Sequence, residues 1–245
     1  MRKTQGLSSR KGLSSGKSSG GRQQASRGTK KTSKREGMPT VRKSEVSFIT
    51  CSDLHLSHRP PIARSGEDNW YNTQAKYLKE LSSIVSFYGV PLVIPGDIFN
   101  VWNPPPELIN LTLRHLPKCY AVPGQHDLPH HNYEDIKRSA YWTLVEAGLV
   151  TNLEPEAPLE VGHLRLHGFP WGYKITPPTK PPHSLLIEIC VAHRYIWMKG
   201  KSYPNAPTKY RVKASLKSLR GYDVSVFGDN HIPFTYNRDG FSIVN

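Results

Sequence analysis

The sequence predicts a mixed α/β domain over residues 46–245, preceded by a basic tail over residues 1–45. Short apolar runs rich in β-branched and aromatic residues alternate with segments of helical periodicity, which is typical of α/β folds rather than of helical bundles or pure β-sandwiches. A chain of 245 residues is long enough for one domain of ordinary size with a sizeable core. Hydrophobic residues make up only 37% of the chain, which indicates that part of it does not pack.

Positive charge is concentrated near the amino terminus. Residues 1–45 contain 13 Lys or Arg and two acids, Glu36 and Glu45, so they carry +11 of the net charge of +14. This mixture of Ser, Gly, Lys and Arg has too little to bury to offset the entropy of ordering, and we predict a disordered tail. Counterion release would let it bind polyanions such as nucleic acid. A solvated tail without a partner is the alternative, and an organellar transit peptide matches less well.

The first half of the domain alternates three strands with two helices. Residues 46–51 form an apolar run bounded by polar residues, and Trp70–Tyr88 has apolar residues at helical spacing with a glycine directly after it. Residues 92–94 and Cys119–Val122 are predicted strands, each followed closely by a Pro-Gly sequence. Residues 106–116 begin with a proline, which suits the first turn of a helix.

The second half of the domain contains further strands and two short helices. Residues 234–237 and Phe241–Val244 flank an Arg-Asp-Gly sequence, which predicts a hairpin. The remaining predicted elements are helices over 141–147 and 212–219, a hairpin or paired edge strands over 159–167, and buried strands over 184–192 and 224–227.

Carboxylate, imidazole and amide side chains directly follow five of the predicted strands. Because the carboxyl ends of parallel strands meet at one edge of a sheet, we expect these groups to lie together. So many such groups would repel one another or be poorly solvated unless a pair of divalent cations lies between them. Imidazole with carboxylate is the ligand set of Zn, Mn or Fe rather than of Ca. The side chains are Asp53 and His55, Asp97, Gln125, His126 and Asp127, His193, and Asp229 and His231.

This ordered series resembles the calcineurin-like metallophosphoesterase superfamily over about residues 46–245. Within that superfamily, the sequence around Asp53 and the late block from Gly228 to His231 are most similar to the SbcD-type DNA repair exonucleases, especially phage-encoded relatives. The resemblance implies a layered sheet sandwich flanked by helices and a metal-dependent phosphodiester hydrolase, an exonuclease or endonuclease on DNA. It also implies a coiled-coil ATPase partner of the SbcC type.

The resemblance further implies a role for each polar residue of the series. His126 would lie outside the metal shell, beside the substrate phosphate, with Asp127 holding its ring, and would protonate a leaving alkoxide or stabilise developing charge. Two bound metals would lower the pKa of the attacking water. The implied ligands are Asp53, His55 and His231 for the first metal, Gln125, His193 and Asp229 for the second, and Asp97 as a bridge between both.

Two residues depart from the pattern of that superfamily. Gln125 stands where Asn is usual, which adds one methylene, and Asp229 stands where His is usual, which adds negative charge and a harder ligand. We therefore expect Mn²⁺ as the activating ion, with Mg²⁺, Fe²⁺ and Zn²⁺ as alternatives. A retuned or decayed site is the other interpretation of these two substitutions.

A few further residues are candidates for substrate contacts. His58 and Arg59 follow the first motif on a Pro-rich loop and are candidate phosphate contacts, with a plain surface loop as the alternative. Trp102 either packs at the rim or stacks on a base, and Trp171 is expected in the core. The chain ends at Asn245 inside a predicted strand, so we expect a domain that is incomplete at its carboxyl terminus.

Composition also limits the function classes. No run approaches the length of a transmembrane helix, no apolar segment follows the basic start, and three cysteines are too few for a disulfide scaffold. We therefore expect a protein of the reducing cytoplasm of a bacterial or phage-infected cell, acting on DNA and not on a membrane. The competing functions are a phosphatase or phosphodiesterase acting on nucleotides or phosphoproteins, and a catalytically impaired nucleic-acid-binding remnant.

Overall fold

The structure, a computed structural model, describes residues 42–179, 184–197, 217–238 and 240–245. Residues 1–41 of the predicted tail and residues 212–216 of the predicted helix over 212–219 lie outside the described residues, and residues 217–219 form a turn rather than a helix. The boundary between tail and domain therefore stays a prediction.

The described residues contain three α-helices, and local sequence features explain where two of them begin. The Asn69 side chain accepts a hydrogen bond from the backbone N–H of Asn72 at the start of the first helix, and Gly89 ends that helix at a φ of +68°. The Ser139 hydroxyl similarly accepts from the N–H of Trp142 at the start of the third helix. The helices are α1 Trp70–Tyr88, α2 Pro106–His115 and α3 Ala140–Glu146. Short 3₁₀ segments are Lys43–Glu45, Ile62–Arg64, Gln125–Asp127, Pro129–His131 and Tyr133–Arg138.

The strands of the described residues form two sheets. The first sheet is parallel throughout, in the order β1-β2-β3-β4, and consists of β1 Ile49–Thr50, β2 Leu92–Pro95, β3 Cys119–Val122 and β4 Val150–Asn152. The second has the order β5-β6-β7-β8-β10-β9, with β6, β7, β8 and β10 parallel and antiparallel strands at both edges. Its strands are β5 Leu159–Val161, β6 Leu164–Phe169, β7 Ile187–His193, β8 Val224–Gly228, β9 Thr235–Arg238 and β10 Phe241–Val244.

The two sheets pack face to face through a shared apolar core. Val93 and Val122 of the first sheet cluster with Leu166, Ile189 and Val226 of the second, and all five are fully buried. Alternation along β7 explains the next layer: every second residue points away from the first sheet into another core that contains Cys190 and Ala192. Helices α1, α2 and α3 cover the outer face of the first sheet. The result is a layered sandwich.

The predicted fold class, mixed α/β, is confirmed, with differences in individual elements. The first strand, predicted over 46–51, is limited to Ile49–Thr50, and β4 was not predicted. The hairpin predicted near residue 240 is confirmed as β9 and β10. Within the described residues, no helix is long and apolar enough to cross a membrane. Cys51, Cys119 and Cys190 are free thiols; the last two are buried, and Cys51 is half-buried.

Candidate metal centre

Strand ends from both sheets contribute to one cluster of polar side chains. In the first sheet, β1, β2 and β3 are followed by predicted site residues, and in the second sheet β7 and β8 carry the others. Both sheets present the carboxyl ends of parallel strands at this edge, so the expected convergence spans the sandwich rather than a single sheet. The structure brings together the ligand atoms of Asp53, His55, Asp97, His126, His193 and His231.

Three overlapping groups in this cluster have ligand atoms within 4.8 Å of one another. They are Asp53 with His55 and His231, His55 with Asp97 and His126, and Asp53 with Asp97 and His193. Because the groups share members, the cluster has room for more than one cation with common ligands. The predicted first metal set is the first of these groups.

Asp97 lies at the middle of the cluster. Its side chain is fully buried, and its Oδ2 is 3.6 Å from His55 Nε2 and 3.4 Å from His193 Nε2. Its other oxygen accepts a hydrogen bond of 3.0 Å from the backbone N–H of His126. One carboxylate oxygen thus faces two imidazoles that belong to different predicted metal sets.

The first metal set has two imidazoles whose Nε2 atoms lie close together. His55 Nε2 and His231 Nε2 are 3.2 Å apart, and His231 Nε2 is 3.7 Å from Asp53 Oδ1. Asp53 is itself held in place, because its Oδ1 accepts from the backbone N–H of Asp229 at 3.0 Å. Two ring nitrogens and a carboxylate oxygen at this spacing are suited to one shared cation.

Only two members of the second metal set, Gln125 and Asp229, are hydrogen-bonded to each other, and Asp229 is not among the clustered ligand groups of the described residues. His193 Nδ1 donates to the carbonyl of Pro95 at 2.7 Å, which orients the ring so that Nε2 is directed toward Asp97 at 3.4 Å. Gln125 Nε2 donates to Asp229 Oδ1 at 3.0 Å. The two residues that depart from the resemblance are therefore direct partners.

Unpartnered buried atoms test whether these residues fit divalent metals. Six buried side-chain atoms of the described residues lack a hydrogen-bond partner, and four of them belong to predicted ligands. An unsatisfied buried polar group costs about 1–3 kcal/mol, so a cluster of them needs a compensating partner. The four atoms are His55 Nδ1, Asp97 Oδ2, Gln125 Oε1 and His193 Nε2. Oxygen and imidazole-nitrogen donors of this kind fit Mn, Fe or Zn.

Backbone strain is concentrated at the same place. Seven described residues other than glycine have a positive φ, which costs about 1–3 kcal/mol at each position where the surrounding structure enforces it. Four of the seven are predicted metal ligands, namely Asp53, His55, Asp97 and Asp229. The fold therefore holds these ligands in conformations that the isolated chain would avoid.

Two glycines let the backbone come close to the ligands. A Cβ on Gly124 would collide with the carboxylate and backbone nitrogen of Asp97. A Cβ on Gly96, which also has a φ of +97°, would collide with the ring of His193. Glycine at these positions is therefore a requirement of the site.

Burial and neighbouring charges shift the pKa values of three residues in the cluster. Burial lowers the pKa of His193, but the carboxylate of Asp97 outweighs burial and raises the pKa to about 9. Burial raises the pKa of Asp97, but His193 and the N–H of His126 outweigh it, so the pKa lies below its usual value. Burial is the main reason that the pKa of His55 is lowered. Without a metal, the buried carboxylate and His193 thus stabilise each other as an ion pair.

The expectation that Asp127 contacts the His126 ring is wrong. The buried Asp127 carboxylate accepts hydrogen bonds from the backbone N–H groups of Ile98, Phe99 and Gly124, at 3.0–3.2 Å. His126 Nδ1 instead lies 2.9 Å from the carbonyl of Asn100. Burial and the charge of Asp97 raise the pKa of Asp127 to about 7, against the three backbone donors. Asp127 thus fixes the loops that carry Asp97 and His126, a role that no sequence motif signalled.

The other candidate residues lie at the surface. His58 is exposed and its Nδ1 is 3.0 Å from the hydroxyl of Tyr71, while Arg59 is exposed. Neither is among the clustered ligand groups. Trp102 is half-buried, with its ring 6.2 Å from that of His130. Trp171, expected in the core, is instead 36% exposed.

Comparison with known protein families gives one match. The family described as Calcineurin-like phosphoesterase matches residues 46–233. No curated protein has a significant sequence match. Similar solved structures include phosphopantetheinyl hydrolase from Mycobacterium tuberculosis, with 16% identity over 81% of this chain and 88% of that chain and a TM-score of 0.43. GAP50, the anchor in the inner membrane complex of Plasmodium, has 13% identity, coverage of 80% and 70%, and a TM-score of 0.45.

A metallophosphoesterase from Sphaerobacter thermophilus has 15% identity, coverage of 81% and 74%, and a TM-score of 0.32. These structures are too distant to indicate a substrate. The family match spans well over half of the 245 residues and includes every predicted ligand. The chain therefore belongs to the calcineurin-like phosphoesterase family.

Proposed function

We propose that this protein is a two-metal phosphodiester hydrolase that acts on DNA. Family membership already assigns it metal-dependent hydrolysis of phosphoesters, so the proposal concerns the substrate and the roles of individual residues. The observation that carries it is the position of Asp97, whose buried Oδ2 lies within 3.6 Å of imidazole nitrogens on two sides. A carboxylate in that position is suited to bridge two cations.

The proposed ligands divide between the two cations. Bound ions would neutralise phosphate oxygens and lower the pKa of the attacking water. Gln125 offers its unpartnered Oε1 while its Nε2 holds Asp229, so the amide both binds and orients. The proposed sets are Asp53, His55 and His231 for one ion, Gln125, His193 and Asp229 for the other, and Asp97 for both.

His126 is the proposed proton carrier. Its Nδ1 donates to the Asn100 carbonyl, which orients the ring and leaves Nε2 to hold or release a proton. The ring centroid is 4.9 Å from that of His55, so the imidazole lies beside the ligand cluster. A protonated Nε2 at this place would stabilise negative charge on a phosphate or a leaving oxygen.

The choice of DNA rests on the resemblance of the sequence around Asp53 and His231 to SbcD-type exonucleases and on the basic residues of 1–45. Mn²⁺ is the proposed activator, because Asp229 contributes a hard oxygen ligand. A coiled-coil ATPase partner and a cytoplasmic location remain predictions from the resemblance.

Three substrates test the proposal with purified protein and Mn²⁺, Mg²⁺, Fe²⁺ or Zn²⁺. We expect hydrolysis of a small aryl phosphodiester in preference to the matching monoester, and cleavage of linear DNA. Turnover of the monoester alone would favour a phosphatase instead. A variant lacking residues 1–45 should still cleave DNA at low salt, whereas a nucleic-acid-binding remnant without turnover would lose DNA affinity and show no cleavage.

A further inference from the structure

A cleft of about 320 Å³ opens beside the second metal set. His193 and Asp229 form part of its wall, so a molecule in the cleft would reach the metal centre. The rest of the wall includes Trp171, Tyr173, Lys174 and Arg194. Three aromatic residues, Tyr195 among them, and two cations next to a phosphoesterase centre are not explained by metal binding.

A tight turn places Trp171 and Tyr173 at this cleft. The N–H of Tyr173 donates to the carbonyl of Pro170 at 3.0 Å, and Gly172 between them has a φ of +88°. A positive φ at the third position of a turn requires glycine, so the Pro-Trp-Gly-Tyr sequence encodes the turn. Trp171 is 36% exposed and Tyr173 is 39% exposed. Large rings that are this exposed have faces available to a ligand.

The Trp171 ring packs against His131, which lies in a strained segment hydrogen-bonded to the Gln125 backbone. Its centroid is 5.7 Å from the ring of His131, and His131 Nδ1 donates to the backbone carbonyl of Gln125 at 3.0 Å. His130 and His131 have φ values of 52° and 58°, an uncommon conformation for residues other than glycine. The backbone N–H of Trp171 also donates to the carbonyl of Pro123. The ring is therefore positioned by the loop that supplies Gln125.

The charge of the cleft suits an anion. Among the described residues, neither Lys174 nor Arg194 has a hydrogen-bond or ion-pair partner, and Lys174 is exposed. Among the described residues that line the cleft, Asp229 is the only carboxylate, and its Oδ1 is engaged by Gln125. Unpaired cations beside exposed aromatic rings are the groups that hold the phosphate and the base of a nucleotide.

We propose that this cleft is a nucleotide subsite in which an unpaired base stacks on Trp171 and its flanking phosphate lies near Lys174 and Arg194. The subsite rests on the proposed function and specifies its substrate further. The enzyme selects a phosphodiester by the nucleoside that is attached to it. Tyr173, held edge-on at 5.2 Å by Tyr133, borders the same space.

Two esters with the same leaving group test the subsite in Mn²⁺. They are the p-nitrophenyl ester of thymidine 5′-monophosphate and methyl p-nitrophenyl phosphate. The two esters differ only in the second group on the phosphate, which is a nucleoside in one and a methyl group in the other. We expect wild-type protein to prefer the nucleoside ester in kcat/KM. Trp171→Ala should lower the ratio of the two kcat/KM values by about 5- to 100-fold, the usual range for loss of one base-stacking ring. Trp171→Phe should keep most of the preference.

Phe87→Ala is the matched control, because Phe87 is also an exposed ring, 63% accessible, on α1. It should leave the ratio unchanged. An unchanged ratio in Trp171→Ala would overturn the subsite while both esters are still hydrolysed. Should Trp171→Ala fail to fold, Trp171→Leu replaces it, since leucine keeps apolar bulk without a stacking face.

Failure of the proposed function gives a different result, namely wild-type protein that hydrolyses neither ester with any of the metals. Calorimetric binding of thymidine 5′-monophosphate then decides the subsite without turnover. We expect the Kd to rise by about 5- to 100-fold in Trp171→Ala. An equal Kd in wild type and variant would overturn the subsite.

Discussion

Gln125 Nε2 donates a 3.0 Å hydrogen bond to Asp229 Oδ1, and this bond joins the two positions at which the chain departs from the pattern it resembles. The extra methylene of glutamine gives its amide the length to contact Asp229, while its Oε1 stays unpartnered in the cluster. The two departures are therefore a matched pair rather than two independent losses.

This pairing predicts non-additive effects on metal binding. Gln125→Asn breaks the bond to Asp229, and loss of such an orienting partner typically costs about 10- to 100-fold in metal affinity. The double variant Gln125→Asn with Asp229→His should bind metal more tightly than the sum of the two single effects predicts, by about 0.5–3 kcal/mol. Calorimetric titration with Mn²⁺ measures this. Simple additivity would mean that the two residues act independently.

His126→Ala should separate metal binding from turnover. The metal content should stay at the wild-type value, while kcat falls by about 10²- to 10⁴-fold, because the variant lacks a positioned proton carrier. His163→Ala, which removes an exposed imidazole from a turn, is the control and should change neither quantity. A variant at position 126 that cleaves at the original rate would remove this residue from the chemistry.

Gly124→Ala tests the close approach of the backbone to Asp97. The added methyl group would collide with the Asp97 carboxylate and backbone, so we expect loss of metal affinity and of about 1–3 kcal/mol in unfolding free energy. Gly66→Ala is the matched control, because nothing lies within 4 Å of its Cβ position. It should leave metal binding unchanged. Equal behaviour of the two variants in titration and urea unfolding would contradict the observed packing.

The stability of the metal-free protein should depend on His193. Its pKa is about 9 in the folded state against 6.5 as the ordinary value, so its stabilising contribution is complete below pH 6.5 and is lost as pH rises through about 9. We expect the Tm of chelator-treated protein to fall over that interval, more steeply than in His193→Gln. Metal affinity should rise over the same interval, because a ligating imidazole must be neutral. Parallel Tm curves for the two proteins would refute the assignment.

Local sequence patterns predicted most of the fold, and tertiary packing accounts for the rest. The predictions for α1, β3 and the β9–β10 hairpin depend on local signals, namely helical periodicity, an apolar run and a turn sequence. By contrast, β4 is three residues long with one buried residue, so no pattern marks it. The division of the strands between two sheets depends on packing between distant residues, such as Val93 and Val226.

The candidate site was likewise predicted only in part from the sequence. Residues directly after apolar strands were predicted to converge, and Asp97 does lie between His55 and His193. The partner of Asp127 could not be predicted, because backbone N–H groups carry no sequence signature. Trp171 was expected in the core but is exposed. Its exposure depends on a turn whose position relative to the metal centre is set by tertiary structure, which the sequence pattern does not give.

Metal content per chain tests the central claim most directly. Purified protein reconstituted with Mn²⁺ and measured by elemental analysis should hold about two ions per chain. Asp97→Ala, and the isosteric Asp97→Asn, should lose at least one of them, while Asp68→Ala, which removes an exposed carboxylate, should lose none. Wild-type protein that binds no metal, or Asp97 variants that bind as much as wild type, would contradict a cation pair bridged by Asp97.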